Sequence, residues 1–505
     1  MKGRRFSMSI SECISMLADY AQRSGLIENE DRTYAINAIA DALGGVACVP
    51  GASNTAKELS QVLASLCDYA VERGIIKDTP TERDLFDTRL MGLLTPRPSE
   101  VIRRFEEAYR ISPMAATAYF YALAENSNYI RKDRIEKDIK WSVPTEFGEL
   151  ELTVNLSKPE KDPREIARSF SREQIGYPRC LLCPENEGFA GDATRPARQN
   201  LRLIPITLAG ERWFLQYSPY VYYNEHCIAL SAEHAPMSVG CATFERMFDF
   251  LDLFPHYFIG SNADLPIVGG SILSHEHMQG GCYNFAMERA PIEEDISFLG
   301  YGHIGAGILK WPMSVIRLSS FDRISLSELA LKILDAWRGY TDEAAFIFAS
   351  SGGEAHNTIT PIARKKNDKY ELDLVLRSNI TTNEHPLGVY HPHAEHHNIK
   401  KENIGLIEVM GLAVLPSRLK AEMDQLRDAV LDGRDLSSHP QTAKHKEWFL
   451  RFADKHAFSP ENTEDILRGE IGNTFLAVLR DVGVFKRTSQ GRASFLKFID
   501  GVNGK

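Results

Sequence analysis

Gly269-Gly270-Ser271-Ile272-Leu273-Ser274-His275-Glu276-His277-Met278-Gln279-Gly280-Gly281 is the stretch on which the reading of this chain turns. Side chains alternate across a β-strand, so on an extended backbone residues 275, 277 and 279 point to one face. Two imidazoles and a carboxamide then stand in a row. The glycine pairs at either end let backbone N–H groups come close to an anionic ligand. Such a row suits phosphorus chemistry. A neutral imidazole attacks a phosphoryl centre and holds it as a phosphoramidate, which splits one displacement into two. Nearby donors then offset the charge that builds on the equatorial oxygens. A bare His-x-His also fits two surface histidines or half of a metal site. The glutamine and the flanking glycines favour catalysis, with Ser271 and Ser274 as substrate-binding candidates.

The histidines of the whole chain point the same way. All 15 lie beyond residue 225, twelve of them between His226 and His397, with His439, His445 and His456 in the tail. The 505 residues allow two to four domains. A hydrophobic fraction of 43% with 25% charged residues is ordinary globular composition and excludes a mainly disordered or collagen-like chain. A net charge of −10 argues against a sequence-independent grip on nucleic acid, although local positive groups can still meet a substrate phosphate. Eight scattered cysteines do not make a disulfide framework. Glu12 and Asp19 interrupt any secretory core, and the best apolar run, Ile404 to Leu415, is short and contains Glu408. The expectation is a reduced, cytoplasmic protein without a membrane span.

Residues 1–140 read as a helical accessory domain. Ser9 and Glu12 form a capping-box pattern, and Gly25 marks a stop. Asp19-Tyr20-Ala21 and Gly25-Leu26-Ile27 recur as Asp68-Tyr69-Ala70 and Gly74-Ile75-Ile76, and Arg32 recurs as Arg83, so two related helical hairpins are expected. The mixed-charge run Arg131 to Lys140 reads as a solvated connector. Strand patterns follow at Glu149 to Val154, Trp213 to Tyr217 and Cys227 to Leu230, and again at Ala345 to Phe348, His356 to Ile362 and Tyr370 to Ile380. Helical spacing separates them at Phe244 to Phe254 and Leu326 to Trp337, and returns at Ser417 to Val430 and Asn473 to Val482. The predicted fold is an α+β core of two similar halves, 141–310 and 311–415, with a helical segment at 416–505.

Two further clusters carry chemistry. Cys180-Leu181-Leu182-Cys183-Pro184 presents two thiolates to one tetrahedral zinc, with His234 and His275 as the candidate remaining ligands. A pair of reduced thiols in a turn is the bland alternative, and the absence of a βαβ pattern weighs against a redox role. His391 and His393, in Tyr390 to His397, repeat the one-face spacing; a polar loop and a second metal or substrate site are equally open readings. Ahead of them, Arg377, Asn379 and Thr382 offer donors to a sugar or phosphate.

With HxHxQ, the Cys180 to Asn186 turn and the run His397-Asn398-Ile399-Lys400-Lys401-Glu402-Asn403-Ile404-Gly405-Leu406-Ile407-Glu408-Val409-Met410-Gly411, the sequence resembles the galactose-1-phosphate uridylyltransferase family, in its second, mainly bacterial type. The likeness extends over nearly the whole chain, through Pro196 to Arg202, Tyr217 to His226 and Gly483 to Lys486. It implies two histidine-triad-like halves with antiparallel sheets. It implies transfer of UMP from UDP-glucose to galactose 1-phosphate in galactose metabolism, the Leloir pathway, by a homodimer that needs no organic cofactor.

By that resemblance His277 is the nucleophile and Gln279 bonds the phosphoryl group. Cys180, Cys183, His234 and His275 match a zinc site, while Glu276 stands where the better-known type carries proline. His391 and His393, with His356, match a second metal site. Arg198, Asn200 and Arg202 match a motif expected to contact nucleotide or phosphate.

Gln279 is informative, because superfamily hydrolases usually carry a third histidine there. An amide donates a hydrogen bond but is neither general acid nor base, so water is poorly activated and a sugar phosphate is the favoured acceptor. The alternatives are a histidine-triad phosphorylase or nucleotidyltransferase acting on dinucleoside polyphosphates, and a zinc-scaffolded binding protein. Residue types alone leave hexose choice open.

Overall fold

Ser9 opens the first helix as its spacing predicts: its hydroxyl accepts from the Glu12 N–H at 3.2 Å and the Glu12 carboxylate accepts from the Ser9 N–H at 2.7 Å. The computed structural model describes residues 9–47, 58–156, 176–270 and 272–504. Ser271, one of the substrate-binding candidates, therefore lies outside the described residues.

The same hairpin is built twice in the N-terminal region, from helices Ile10–Arg23 and Arg32–Ala42 and from Leu59–Glu72 and Pro80–Leu94. Gly25 and Gly74 have φ of 71° and 69°, the left-handed turn that glycine adopts at no steric cost. Each hairpin is tied by equivalent ion pairs, Asp19 to Arg32 at 2.7 Å and Asp68 to Arg83 at 2.8 Å. Helices Pro98–Ile111 and Pro113–Asn126 follow, each with proline in its first turn, where no N–H is missed. The stretch after them differs from the expected solvated connector. Asp84 and Asp87 stand one turn apart on the preceding hairpin; Arg131 grips Asp87 with both terminal nitrogens at 2.6 Å, and Arg134 reaches Asp84 at 2.9 Å.

Among the described residues fifteen strands follow in chain order: β1 (Ile139–Thr145), β2 (Gly148–Val154), β3 (Ile204–Leu208), β4 (Glu211–Tyr217), β5 (Cys227–Ser231), β6 (Phe258–Gly260), β7 (His277–Gly281), β8 (Ile292–Ile296), β9 (Gly305–Leu309), β10 (Val315–Ser320), β11 (Ser350–Ser351), β12 (Glu354–Ala355), β13 (Asn357–Lys366), β14 (Lys369–Ser378) and β15 (Leu412–Leu415). Ten of them form one antiparallel sheet in the order β3-β4-β5-β7-β6-β13-β14-β10-β9-β8. Read from each edge inward, the two sides have the same plan. Three strands in sequence are followed by a helix, Cys241–Leu253 on one side and Arg323–Arg338 on the other, and then by two strands that enter in reverse order. The sides meet where β6 pairs with β13, Gly260 opposite Ile362. The expected division at 310/311 therefore cuts through one side, because β8 and β9 pair with each other and β9 with β10. β1 and β2 leave the main sheet altogether and join β15 in a separate small sheet. Ala345 to Phe348, read as a strand, holds only the end of the 3₁₀ helix Glu343–Ala345 and a single bridge from Ile347 to Asp342; between them Phe346 takes φ 57°, a conformation that breaks the alternation the sequence shows. Among the described residues no helix is long and apolar enough to cross a membrane.

The two connecting helices and the N-terminal bundle cover one face of the sheet. Phe120 packs on Tyr217, and the Tyr217 hydroxyl donates to the Thr117 carbonyl at 3.0 Å. The other face carries the segment 399–410, the small sheet and the C-terminal helices Arg418–Leu431 and Thr463–Val482. A buried ion network stiffens that second face. Arg317, opposite Asp373 across β10 and β14, binds it at 2.7 and 2.8 Å, and Arg364 reaches the same carboxylate at 2.6 Å and Glu371 at 2.7 Å. Arg317 also donates to the carbonyls of Met287 and Glu288, which seats the chain that leaves β7. Burial by itself would raise the Asp373 pKa, but Arg364 and Arg317 hold it below the usual carboxylate range. Replacing Asp373 by Ala leaves two buried cations short of a partner. We expect a loss of about 3–5 kcal/mol, measured as a lower midpoint of urea unfolding.

Candidate active site

Ladder pairing places the chemistry. β7 runs between β5 and β6, with Leu230 opposite His277, Ile228 opposite Gln279 and Gly260 opposite Gln279 from the other side. Directly opposed residues share a face, so His277, Gln279 and Gly260 look away from the helix layer. A Cβ on Gly260 would stand 2.7 Å from the Leu406 side chain, which shows how closely the 397–411 run lies over this part of the sheet. The Leu406 N–H donates to Asn262 Oδ1 at 3.0 Å, and Lys400 spans from Glu408 to the Val414 carbonyl at 2.9 and 3.1 Å, which holds that run in place.

His277 is 6% exposed, and its Nδ1 lies 2.8 Å from the His275 carbonyl. A carbonyl only accepts, so the ring proton resides on Nδ1 and Nε2 carries a bare lone pair. Burial lowers the His277 pKa to about 4, so the ring is neutral at pH 7. Two residues further along the strand, roughly 7 Å away, Gln279 is only half-buried. Its Oε1 lies 3.0 Å from His226 Nε2.

His275 departs from the expected row. β7 begins at His277, and His275 sits on the loop before it, turned to a different cluster. The described group of His, Cys, Asp and Glu residues able to hold a metal ion is Cys180, Cys183, His234 and His275, with ligand atoms all within 4.8 Å of one another. The thiols are 3.6 Å apart; His275 Nδ1 lies 3.4 Å from Cys180 Sγ and 3.7 Å from Cys183 Sγ, and His234 Nδ1 lies 3.2 Å from Cys183 Sγ. A tetrahedral ion with metal–sulfur bonds of about 2.3 Å and metal–nitrogen bonds of about 2.0 Å needs donors roughly 3.3–3.8 Å apart. The residues fit such a group. His275 Nε2 donates to the Ser231 carbonyl at 2.9 Å, which fixes the ring and leaves Nδ1 bare toward the thiols, as a ligating imidazole requires.

Glu276, between the two histidines, faces the other way. Arg246 of the helix Cys241–Leu253 binds it at 2.6 Å and Glu211 at 2.7 Å, and stacks over Trp213. The N–H of Glu276 donates to the Ala235 carbonyl at 2.8 Å and its carbonyl accepts from Ser231 N–H at 3.0 Å. Proline in this position would lose both the ion pair and that N–H.

Several expected contacts are spent elsewhere. Arg202 donates to the carbonyls of Pro96, Gln199, Leu201 and Thr95 between 2.6 and 3.1 Å, and Asn200 donates to the Ser127 carbonyl at 2.9 Å. Both dock their segment on the N-terminal bundle instead of offering donors to a ligand. The Arg198 guanidinium lies over the Tyr129 ring, 5.3 Å from its centroid. Arg377 is 1% exposed and bonds Thr360 Oγ1 and the Ile404 carbonyl, so it supports the 397–411 run from within the core. Asn379 Oδ1 lies 2.9 Å from His356 Nδ1, while Ser351 Oγ takes His356 Nε2 at 2.6 Å. Ser274 is exposed.

Among the described residues His356, His391 and His393 do not form a group able to hold a metal ion. His391 bonds Asn403 and the Pro392 carbonyl, and His393 bonds the Val389 carbonyl and faces Asp481. The topological counterpart of β7 is β14, which holds no histidine; His391 and His393 sit on the loop beyond it, so equal spacing did not mean equivalent place.

His226 and the Arg246–Glu276 pair are the site residues the sequence reading missed. His226 ends the quoted Tyr217 to His226 run, but nothing in its spacing reveals that β5 lies beside β7.

Comparison with known proteins places the chain in a family. A family profile described as galactose-1-phosphate uridyl transferase, N-terminal domain, matches residues 26–236, and the C-terminal domain of the same family matches residues 250–450. Galactose-1-phosphate uridylyltransferase of Clostridium acetobutylicum is 52% identical over 97% of this chain and 99% of that protein. Its counterparts in Caldanaerobacter subterraneus and Bacillus subtilis are 53% and 50% identical, covering 96% and 99% of this chain and 97% and 99% of their own. A crystal structure of yeast Ap4A phosphorylase Apa2 aligns at a TM-score of 0.35 and 12% identity over 66% of this chain and 95% of that one, a likeness too weak to bear on fold or function.

The metal quartet has a direct test. Purified chain should retain about one divalent ion, and Cys183→Ser or His234→Ala should lose most of it, measured by elemental mass spectrometry.

Proposed function

The chain belongs to the galactose-1-phosphate uridylyltransferase family, and from that membership we propose that it moves UMP from UDP-glucose to galactose 1-phosphate through a covalent adduct on His277. The observation that carries the reading is the 2.8 Å contact of His277 Nδ1 with the His275 carbonyl. With its proton on Nδ1 held by the His275 carbonyl, the bare Nε2 is a nucleophile that needs no base to activate it.

In the first half-reaction the Nε2 lone pair forms a bond to the α-phosphorus, and the bond from that phosphorus to glucose 1-phosphate breaks. Glucose 1-phosphate leaves with the electron pair. In the second, a phosphate oxygen of galactose 1-phosphate attacks the same phosphorus, the P–N bond breaks, and UDP-galactose leaves with His277 neutral again. Gln279 donates a hydrogen bond to the equatorial oxygens in both steps. Lacking a general base at 279, the site activates water poorly, so the adduct waits for a sugar phosphate, whose anionic oxygen is already nucleophilic. Burial serves the same end by keeping the imidazole unprotonated.

Zinc is the proposed occupant of Cys180, Cys183, His234 and His275, because two thiolates and two imidazoles form a closed tetrahedral set. When bound, it supplies structural cross-linking, tying the 180–183 turn to the loops that end β5 and begin β7. His275 then presents its carbonyl to His277 from a fixed position.

Incubation with UDP-glucose alone should leave one UMP on the chain, mapped to His277 by peptide mass spectrometry. Galactose 1-phosphate should then discharge it as UDP-galactose. His277→Ala should abolish both steps while the protein stays folded. Stoichiometric hydrolysis of UDP-glucose with no trappable adduct would overturn the covalent route.

A further inference from the structure

We propose that His226 is a positioning residue for uridylyl transfer: its Nε2–H holds the Gln279 carboxamide by the oxygen, so that the amide N–H groups face the phosphoryl group at His277. This rests on the reading of His277 as nucleophile and assigns a role to a residue outside the HxHxQ motif. A terminal carboxamide torsion is soft and roughly two-fold, so an unrestrained glutamine presents its oxygen about as readily as its nitrogen. Toward an anionic phosphoryl group those two orientations have opposite effects, one donating and one repelling. Something must choose between them.

The surroundings of His226 make that choice. The ring is 2% exposed, lies 4.5 Å from the Tyr223 ring and 5.5 Å from that of Tyr222, and among the described residues its Nδ1 has no hydrogen-bond partner. Burial lowers its pKa to about 4, so it carries one proton. Were that proton on Nδ1, a donor would be buried without an acceptor, and Nε2 would have to accept from the amide. With the proton on Nε2, only a bare lone pair is left unpaired, the cheaper of the two omissions. Gln279 must then accept through Oε1, as the 3.0 Å contact has it. Among the described residues Gln279 makes no other side-chain hydrogen bond, so His226 is its restraint.

The ring itself is well anchored. The His226 N–H donates to the Tyr223 carbonyl at 3.2 Å and its carbonyl accepts from the Ser218 N–H at 2.8 Å. Glu225 before it adopts φ 52° and is held by the Tyr257 hydroxyl, which lies 2.8 Å from the hydroxyl of Tyr217. Gly281 makes room for this turn: a Cβ there would stand 2.6 Å from the Glu225 carbonyl oxygen. Tyr217 donates in turn to Thr117 of the N-terminal bundle, so the bundle braces the turn that carries His226.

The experiment measures single-turnover adduct formation and steady-state transfer in the full chain carrying His226→Ala, His226→Gln, His226→Asn, Gln279→Ala and the Ala/Ala pair. Gln279→Ala removes the donor itself and should slow adduct formation by about 10²–10³-fold. His226→Ala should slow it by about 10–100-fold, with KM for UDP-glucose within about two-fold of the parent. The double variant should be no slower than Gln279→Ala, because His226 acts only through that amide. His226→Gln, whose amide nitrogen reaches the place of Nε2, should recover most of the rate; His226→Asn, whose nitrogen reaches the place of Nδ1, should not. Equal melting temperatures identify the variants for which rates are compared, and His226→Gln keeps the test sound should the alanine fail to fold.

Full activity in His226→Ala, or multiplicative losses in the double variant, would overturn the proposal. Adduct formation at the parent rate in Gln279→Ala would remove it together with the role of Gln279. An adduct mapped away from His277 would instead remove the reading beneath it.

Discussion

The antiparallel ladder between β5 and β7 is the constraint on which this molecule's chemistry depends. Five backbone positions in register bring three separate requirements to one place. The Ser231 carbonyl meets His275 and turns its Nδ1 to the thiols. Glu276, opposite Ser231, is drawn to Arg246 behind the sheet. His226, just before β5, meets Gln279 near the far end of β7. A slip of one residue would send His277 and Gln279 to the helix face and break all three together.

The ten-stranded sheet shows one plan used twice with its burdens divided. Both sides run three strands, a helix and two inserted strands, and they join through β6 and β13. The first side keeps one imidazole, His277, on its inserted strand. The second side has none on β14 and instead buries Asp373 between Arg317 and Arg364. Buried ions on this scale are poor sources of stability but exacting about geometry. Arg317 spends that exactness on the chain leaving β7, so the second side acts on the site by holding the first in shape. The N-terminal bundle contributes in a similar way, through Tyr217, Asn200 and Arg202, from the opposite face.

Much of the fold could be read from local pattern. Capping at Ser9, the hairpin repeat with its paired glycines, the alternation in β2 and β4 and the amphipathic helices all depend on residues within one or two turns of each other. The misreadings share a cause. Ala345 to Phe348 looks extended until Phe346 takes a left-handed conformation. Arg131 to Lys140 looks solvated until Asp84 and Asp87 arrive from the previous hairpin. Arg202, Asn200 and Arg377 look like phosphate donors because their type is right, but Arg202 and Asn200 donate to carbonyls of the N-terminal bundle, and Arg377 is buried against Thr360 and the Ile404 carbonyl. Residue type states what a side chain can bond to; only the fold states what reaches it first.

By itself, therefore, the sequence determined the class of fold, the HxHxQ motif and the Cys180–Cys183 turn, because spacing along a strand or a tight turn confines such residues whatever surrounds them. Tertiary structure decided which imidazole turns to the thiols and which keeps a free Nε2, why a glutamate lies between them, and which distant histidine orients the glutamine. Those outcomes depend on pairing between strands some fifty residues apart, as Ile228 with Gln279 shows. No local pattern encodes that register, because it is set by which buried donors and acceptors can all be satisfied at once.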